Sequence, residues 1–340
     1  MIDLDMSKRF AVARREDHGN HTPTDDDWWQ ESAFFNMCDP VTGVMGYYRI
    51  GMHPNLGVAN SYYWTAAAAL GLDDKNFRHG MPLPTTDVNN TTVGDLTFET
   101  IRPMEEYRVA VDKPGYRMEV TWKPFFHPIM FHTEVTGAGF ATGGGHYNAL
   151  GQATGFIEVD GKRQDVNAYG YMDHSWGVRK HHFPGSKWIL SIAEPGDFVH
   201  VFVVADAAGT SAHAIGYACR DGKLRRLVDD FETGFTMRDD WLTVAKCDAR
   251  FVDEDGRTFQ VKGQTMGSEC AFPYLHGFAC VHALAGSDLD GRPAKGLLEN
   301  TNPIAPPPAY VERFGIEQRS MWMKPPGEIV AGPGSDSKPL

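Results

Sequence analysis

The sequence predicts an all-β chain of antiparallel meanders with few short helices, and three observations carry that prediction. From residue 90 onward, short alternating or β-branched runs recur at Arg117 to Trp122, Gly155 to Val159, Trp188 to Ile192, Val199 to Val204 and Ala212 to Tyr217. Such period-two patterning is the signature of strands with one buried face. Asp-Gly pairs stand between strand-like runs at Asp160-Gly161, Asp221-Gly222, Asp255-Gly256 and Asp290-Gly291, where they supply the positive φ of tight hairpins. The one convincing helical stretch, Tyr62 to Leu70 with its Ala66 to Ala69 run, is too short to define an α/β fold. Parallel βαβ architecture is therefore not expected.

In chain order, residues 1–24 are polar and mixed in charge and read as an N-terminal arm. With 340 residues the chain exceeds one ordinary core. Two β-domains, 25–165 and 166–318, fit that length, and no short solenoid or propeller repeat competes with them. Pro306-Pro307-Pro308 marks the end of the second domain or a strap across it. Residues 319–340, with Pro325-Pro326-Gly327 and Gly332-Pro333-Gly334-Ser335, lack apolar anchors and read as a disordered tail.

A net charge of −12 and a pI near 5.6, with no basic run longer than Lys223-Leu224-Arg225-Arg226, argue against nucleic-acid or acidic-membrane partners. No apolar stretch approaches the roughly 20 residues of a membrane span. The charged segment Met1 to Arg15 has no apolar signal core, so a cytoplasmic location is expected. Cys38, Cys219, Cys247, Cys270 and Cys280 stand far apart with no CxxC, which fits reduced, buried thiols rather than a zinc site or disulfides.

The densest chemistry lies between Gly170 and His182, where Asp173, His174, Ser175, Trp176, Gly177 and Arg179 follow one another closely. In an extended segment Asp173 and Ser175 face one way and His174 and Trp176 the other, unless a bulge re-aims one of them. No HExxH, GxSxG or phosphate loop accompanies the segment, so neither a metal nor a cofactor is expected. Carboxylate and imidazole acid/base work remains. Asp173 among aromatic rings is the expected acid, since an apolar setting favours the neutral carboxyl. His174 and His146 are the groups to position water or a polar atom. Trp176 is the ring that steadies positive charge. Arg179 is the expected anchor, unless it pairs with Asp173. Tyr48, Trp64, Phe126, Phe131 and Tyr171, with His200, are the expected substrate-binding residues of an aromatic pocket.

The segments His146-Tyr147-Asn148, Gly155 to Gly161 and Gly170 to Arg179, with its DHSWGxR motif, resemble the lipocalin-like superfamily of carotenoid 1,2-hydratase, AttH-like proteins and fungal kievitone hydratase. Decalin-forming Diels–Alderases look like more distant relatives. The match is specific over about residues 140–190 and weaker at Trp28 to Ser32 and Gly296 to Asn300. It implies two lipocalin-like antiparallel β-barrel or β-sandwich domains, the motif at the start of the second, with a hydrophobic pocket near their junction. Family hydratases protonate an isoprenoid double bond and capture water on the cation without a redox cofactor. Their His-x-Trp maps onto His174 and Trp176; their Tyr-x-Asp is unmatched, because Phe198-Val199-His200 stands there, and Asp173 is the substitute donor. The expected function is thus a cofactor-independent hydratase, lyase or isomerase acting on an apolar unsaturated molecule, terpenoid or steroid-like. A non-catalytic lipocalin-like carrier and a pericyclase-like cyclase are the alternatives. A homodimer is the one macromolecular assembly expected.

Overall fold

The computed structural model describes residues 4–6, 10–131, 142–178, 186–205, 212–239, 242–274, 278–303 and 329–331. It is all-β, as the period-two runs predict. Two compact units divide the chain: the first holds the described residues 10–131 and 142–178, the second the described residues between 186 and 303 with 329–331 and 4–6.

A two-residue strand, β1 (Asp5–Met6), pairs in the second sheet. The first sheet contains β2 (Trp29–Asp39), β3 (Val44–His53), β4 (Val58–Ala67), β5 (Leu72–Pro82) and β6 (Thr91–Val93). It continues with β7 (Leu96–Arg102), β8 (Glu106–Lys113), β9 (Tyr116–Pro124), β10 (Ile129–Met130), β11 (Thr142–Val159) and β12 (Lys162–Val178). Its order is β5-β4-β3-β2-β12-β11-β9-β8-β7-β6, with β10 on β11. The curl stops just short of closure, and side chains span the gap. Asp95, in the turn after β6, accepts hydrogen bonds from Tyr63 of β4 at 3.3 Å and from Asn76 and Arg78 of β5 at 3.2 and 2.9 Å. The concave face carries Phe35, whose ring meets Phe98, Tyr107 and Trp122 on strands far from it in the sheet.

The second sheet comprises β13 (Ser186–Glu194), β14 (Asp197–Ala205), β15 (Ala212–Arg220), β16 (Lys223–Met237) and β17 (Val244–Asp253). After these come β18 (Thr258–Tyr274), β19 (Phe278–Leu289), β20 (Arg292–Pro303) and β21 (Ile329–Ala331). The order β16-β15-β14-β13-β20-β19-β18-β17 closes through a β16–β17 ladder, and closure removes the unpaired edges. Its interior is packed with Ile189, Val201, Phe231, Phe251, Phe259, Val261 and Leu298. Lys187 is fully buried with its ammonium 2.5 Å from Asn300 Oδ1, and burial pushes its pKa well down.

The hairpin chemistry follows the local sequence. Asp160-Gly161, Asp221-Gly222 and Asp290-Gly291 each have both residues at positive φ, the type I′ turn that suits right-twisted strands. At Asp255-Gly256 only the glycine is positive, because Asp253 organises a longer loop by accepting the amides of Asp255 and Arg257. Where two strands approach most closely, glycine is obligatory. A Cβ at Gly155 would lie 2.0 Å from the Glu119 carbonyl oxygen across the β9–β11 pair. Gly155→Ala is expected to lower unfolding free energy by about 2 kcal/mol, read as a reduced denaturation midpoint at unchanged m-value.

Three expectations are corrected. Tyr62 to Leu70 is not a helix but the end of β4 followed by a three-residue 3-10 turn, Ala68–Leu70. The aromatic trio has partners on both flanking strands, and such pairing overrides the propensity of an alanine run. The unit boundary does not fall at residue 165, which sits inside β12. The β11–β12 hairpin is paired continuously from Gly145↔Trp176 to Val159↔Lys162, so the DHSWG segment belongs to the first unit. Residues 10–24 do not form a detached arm. Val12 bridges Ile129, and the 3-10 turn Arg15–His18 delivers buried side chains to the first sheet.

Candidate active site

β12 lies between β2 and β11, and its register decides which side chains meet. Tyr147 stands opposite His174, and Glu31 opposite Trp176. Directly paired residues share a face, so Glu31, Tyr147, His174 and Trp176 all project to the concave face that carries Phe35. Gly145 also pairs with Trp176 and leaves room for the indole, since a Cβ there would sit 2.2 Å from the ring.

Glu31 is the hub. Its Oε1 accepts from His174 Nε2 and from His21 Nδ1, both at 2.8 Å, and its Oε2 accepts the His21 amide at 3.2 Å. The carboxyl is buried, which alone would raise its pKa, but the hydrogen bonds from His174 and His21 outweigh burial and hold it below the usual range. A charged Glu31 fixes the His174 tautomer, with the proton on Nε2 donated to the carboxylate and Nδ1 as acceptor. Tyr147 Oη lies 3.2 Å from that Nδ1, and Asn89 Nδ2 lies 3.4 Å from it.

The chain of contacts continues inward. Tyr147 Oη is also 3.1 Å from His18 Nδ1, and His18 Nε2 is 3.2 Å from Thr100 Oγ1. Burial, with the nearby His174, drives the His18 pKa down to about 4, so His18 is neutral at pH 7. Its Nε2 then donates to Thr100, whose hydroxyl donates to the Asn89 carbonyl at 3.2 Å. His18 Nδ1 and His174 Nδ1 are thereby both left as acceptors, facing the single proton of Tyr147 from two sides.

His21 is half-buried, with 19% of its side chain exposed, against 3% for Glu31. Its imidazole stacks on Trp176 with centroids 3.7 Å apart and planes within 7°. A cavity of about 280 Å³ opens beside it, lined by Trp29, Glu31, Met52, Pro54 and Leu83 among others. The site therefore combines an accessible imidazole, a buried carboxylate that holds it, and apolar walls.

The sequence candidates divide over two faces. His174 and Trp176 join the cluster. Asp173 and His146 do not, because no bulge interrupts the ladder between Gly145 and Val159 and the alternation holds. They meet on the opposite face, where His146 Nε2 is 3.7 Å from Asp173 Oδ2 and 3.3 Å from Tyr171 Oη, with Phe131 against the imidazole. Tyr48 bonds Thr65 at 2.9 Å on the concave face, while Trp64 donates to Asp73 at 2.7 Å on the other. Phe126 is buried, and His200 lies in β14 of the second unit, stacked on Tyr217. None of these lines the cavity. Arg179 lies outside the described residues. Glu31, His18, His21, Tyr147 and Asn89 escaped the sequence reading as site residues, although Tyr147 and Glu31 fall within the motif-bearing segments His146 to Asn148 and Trp28 to Ser32.

Among the described residues two groups bring three metal-ligating side chains within 4.8 Å: His21 with Glu31 and His174, and Cys280 with His282 and Glu299. A bound zinc with bonds near 2.1 Å separates its ligand atoms by about 3.4 Å. In the first group two nitrogens already crowd one oxygen at 2.8 Å, which is the geometry of shared protons.

A family model described as a domain of unknown function, DUF7064, matches residues 14–304. The chain belongs to the DUF7064 family. No curated protein matches this DUF7064 chain in sequence. Its fold is shared with solved structures of low identity. An AttH-like protein of Nitrosomonas europaea is 14% identical with a TM-score of 0.61, over 88% of this chain and 98% of that one. Kievitone hydratase from Nectria haematococca is 10% identical with a TM-score of 0.54, over 88% and 97%. CghA with Sch210972 is 11% identical with a TM-score of 0.56, over 88% and 97%. The DUF7064 chain thus has the lipocalin-like fold that the sequence resemblance implied. No helix among its described residues is long and apolar enough to cross a membrane.

Proposed function

We propose that this DUF7064 protein is a cofactor-independent acid/base enzyme, of hydratase, lyase or isomerase type, acting on an apolar unsaturated small molecule in the first barrel. The carrying observation is the Glu31 carboxylate, buried and shared by His21 and His174 at the wall of an apolar cavity. A hydratase and CghA among the fold's neighbours support the reading. The cavity is at the lower end of small-molecule sites, roughly 300–1,000 Å³, so it suits a terpenoid of one or two rings, or one end of a longer molecule.

In the proposed hydration, His21 as imidazolium gives the proton on Nε2 to the alkene carbon. The Nδ1 proton stays on His21, hydrogen-bonded to Glu31, whose charge balances the imidazolium. Trp29, in the cavity wall, offers its ring to the cation, while Trp176 backs His21 by stacking on its imidazole. Water then adds to the cation, and the proton it sheds returns to His21, so that one alkene and one water become one alcohol. His174 positions Glu31 and, through Tyr147 and His18, gives the hub a route for proton rearrangement. Asp173 and His146, on the other face, stand outside this sequence.

The test is extraction of the copurifying apolar ligand, followed by incubation of ligand and protein in D₂O and mass spectrometry. Deuterium at a carbon of the ligand is the expected result. A ligand that binds tightly yet acquires no label would make the protein a carrier.

A further inference from the structure

The second unit carries a cluster unrelated to the one above. Cys280 and His282 stand two residues apart on β19 and so share a face. His282 is paired directly with Glu299 of β20 on one side and with Cys270 of β18 on the other, and Cys280 is paired with Thr301. Three adjacent strands thus place two thiols, an imidazole, a carboxylate and a hydroxyl on one patch, all with buried side chains. His282 Nε2 lies 2.9 Å from Glu299 Oε2, Thr301 Oγ1 donates to Glu299 Oε1 at 2.5 Å, and Cys280 Sγ is 3.0 Å from Thr301 Oγ1.

We propose that Cys280, His282 and Glu299 form a binding site for a thiophilic divalent cation of the zinc class, with the fourth position open to water. A thiolate, an imidazole nitrogen and a carboxylate oxygen are the donor types zinc takes, and three such ligands with one further position is its common arrangement. The Cys280, His282 and Glu299 donor atoms already lie within 4.8 Å of one another. The His282–Glu299 pair widens by about 0.5 Å to reach the ligand spacing of a tetrahedral ion, whereas at Glu31 two such pairs on a single oxygen would have to part. On binding, the ion replaces the Cys280 thiol proton, which leaves to solvent, while the His282 proton moves from Nε2 to Nδ1 so that Nε2 and the Glu299 carboxylate are both free to ligate. The spacing of the cysteines along the chain hides the site, because ligands reach it through cross-strand register.

Because the donors are buried, the ion enters as the chain folds. The full chain is therefore produced in medium supplemented with Co²⁺ alone, desalted, and examined for bound cobalt and for a thiolate-to-cobalt charge-transfer band. About one ion per chain with that band is expected, with retention lowered roughly 100-fold in Cys280→Ser and in His282→Asn, while Cys247→Ser, in the interior of the same barrel, keeps it. Circular dichroism of each variant separates loss of the site from loss of the fold. A folded wild type without cobalt, or cobalt held equally by Cys280→Ser and His282→Asn, would overturn the proposal.

Discussion

Glu31→Gln is expected to slow deuterium transfer to the cavity's ligand by about 10²–10⁴-fold, the range supplied by a positioned acid/base group, while leaving ligand retention nearly unchanged. Gln is isosteric but offers one acceptor oxygen: placed at the Oε1 position it keeps both imidazoles and turns its NH₂ against the His21 amide N–H, and in the other orientation its NH₂ faces both imidazole N–H groups. Either way the donors that Glu31 holds together are forced apart. The charge that balances a protonated His21 is removed as well. A packing role for Glu31 would show the reverse pattern, with ligand lost and the rate on bound ligand preserved. Comparing ligand retained after purification with label acquired per bound ligand separates the two.

The second large effect is on stability against pH. His18 has a pKa near 4 in the folded chain against an ordinary 6.5. Between these values the unfolded chain binds a proton that the folded chain refuses, so acid favours unfolding. Stability is at its full value above pH 6.5, falls as pH drops through 6.5 towards 4, and loses no more from this group below 4. The shift corresponds to about 3 kcal/mol at 1.36 kcal/mol per pKa unit, less whatever the partial exposure of the site screens. Glu31, whose folded pKa is lowered, adds a further loss in the carboxylate range. Denaturant titrations at pH 7 and pH 4.5 should show the drop, and His18→Gln should flatten it. An equal drop in His18→Gln would assign the acid sensitivity elsewhere.

What could be read in advance was local. Alternation announced the strands, and Asp160-Gly161, Asp221-Gly222 and Asp290-Gly291 announced their hairpins, because a turn is chosen by the two residues within it. Alternation also separated Asp173 from His174. Hidden were the partners on each face, since Glu31, His18 and His21 reach His174 from about 150 residues earlier through strand register and a 3-10 turn. The Tyr62 to Leu70 segment failed for the same reason: its fate was decided by Tyr47 and Lys75 across the flanking ladders. Asp173 attracted the acid role because it adjoins Trp176 in sequence, yet on a strand sequence neighbours are the residues least able to cooperate.

The faces of β12 can be set against each other in one measurement: the rate of deuterium transfer to the copurified ligand in wild type, Glu31→Gln and Asp173→Asn. The concave-face site predicts that Glu31→Gln abolishes most of the transfer and that Asp173→Asn stays within about twofold of wild type, well below the 10²-fold of an acid/base group. Transfer lost in Asp173→Asn and preserved in Glu31→Gln would contradict it and move the chemistry to the face shared by Asp173, His146 and Tyr171.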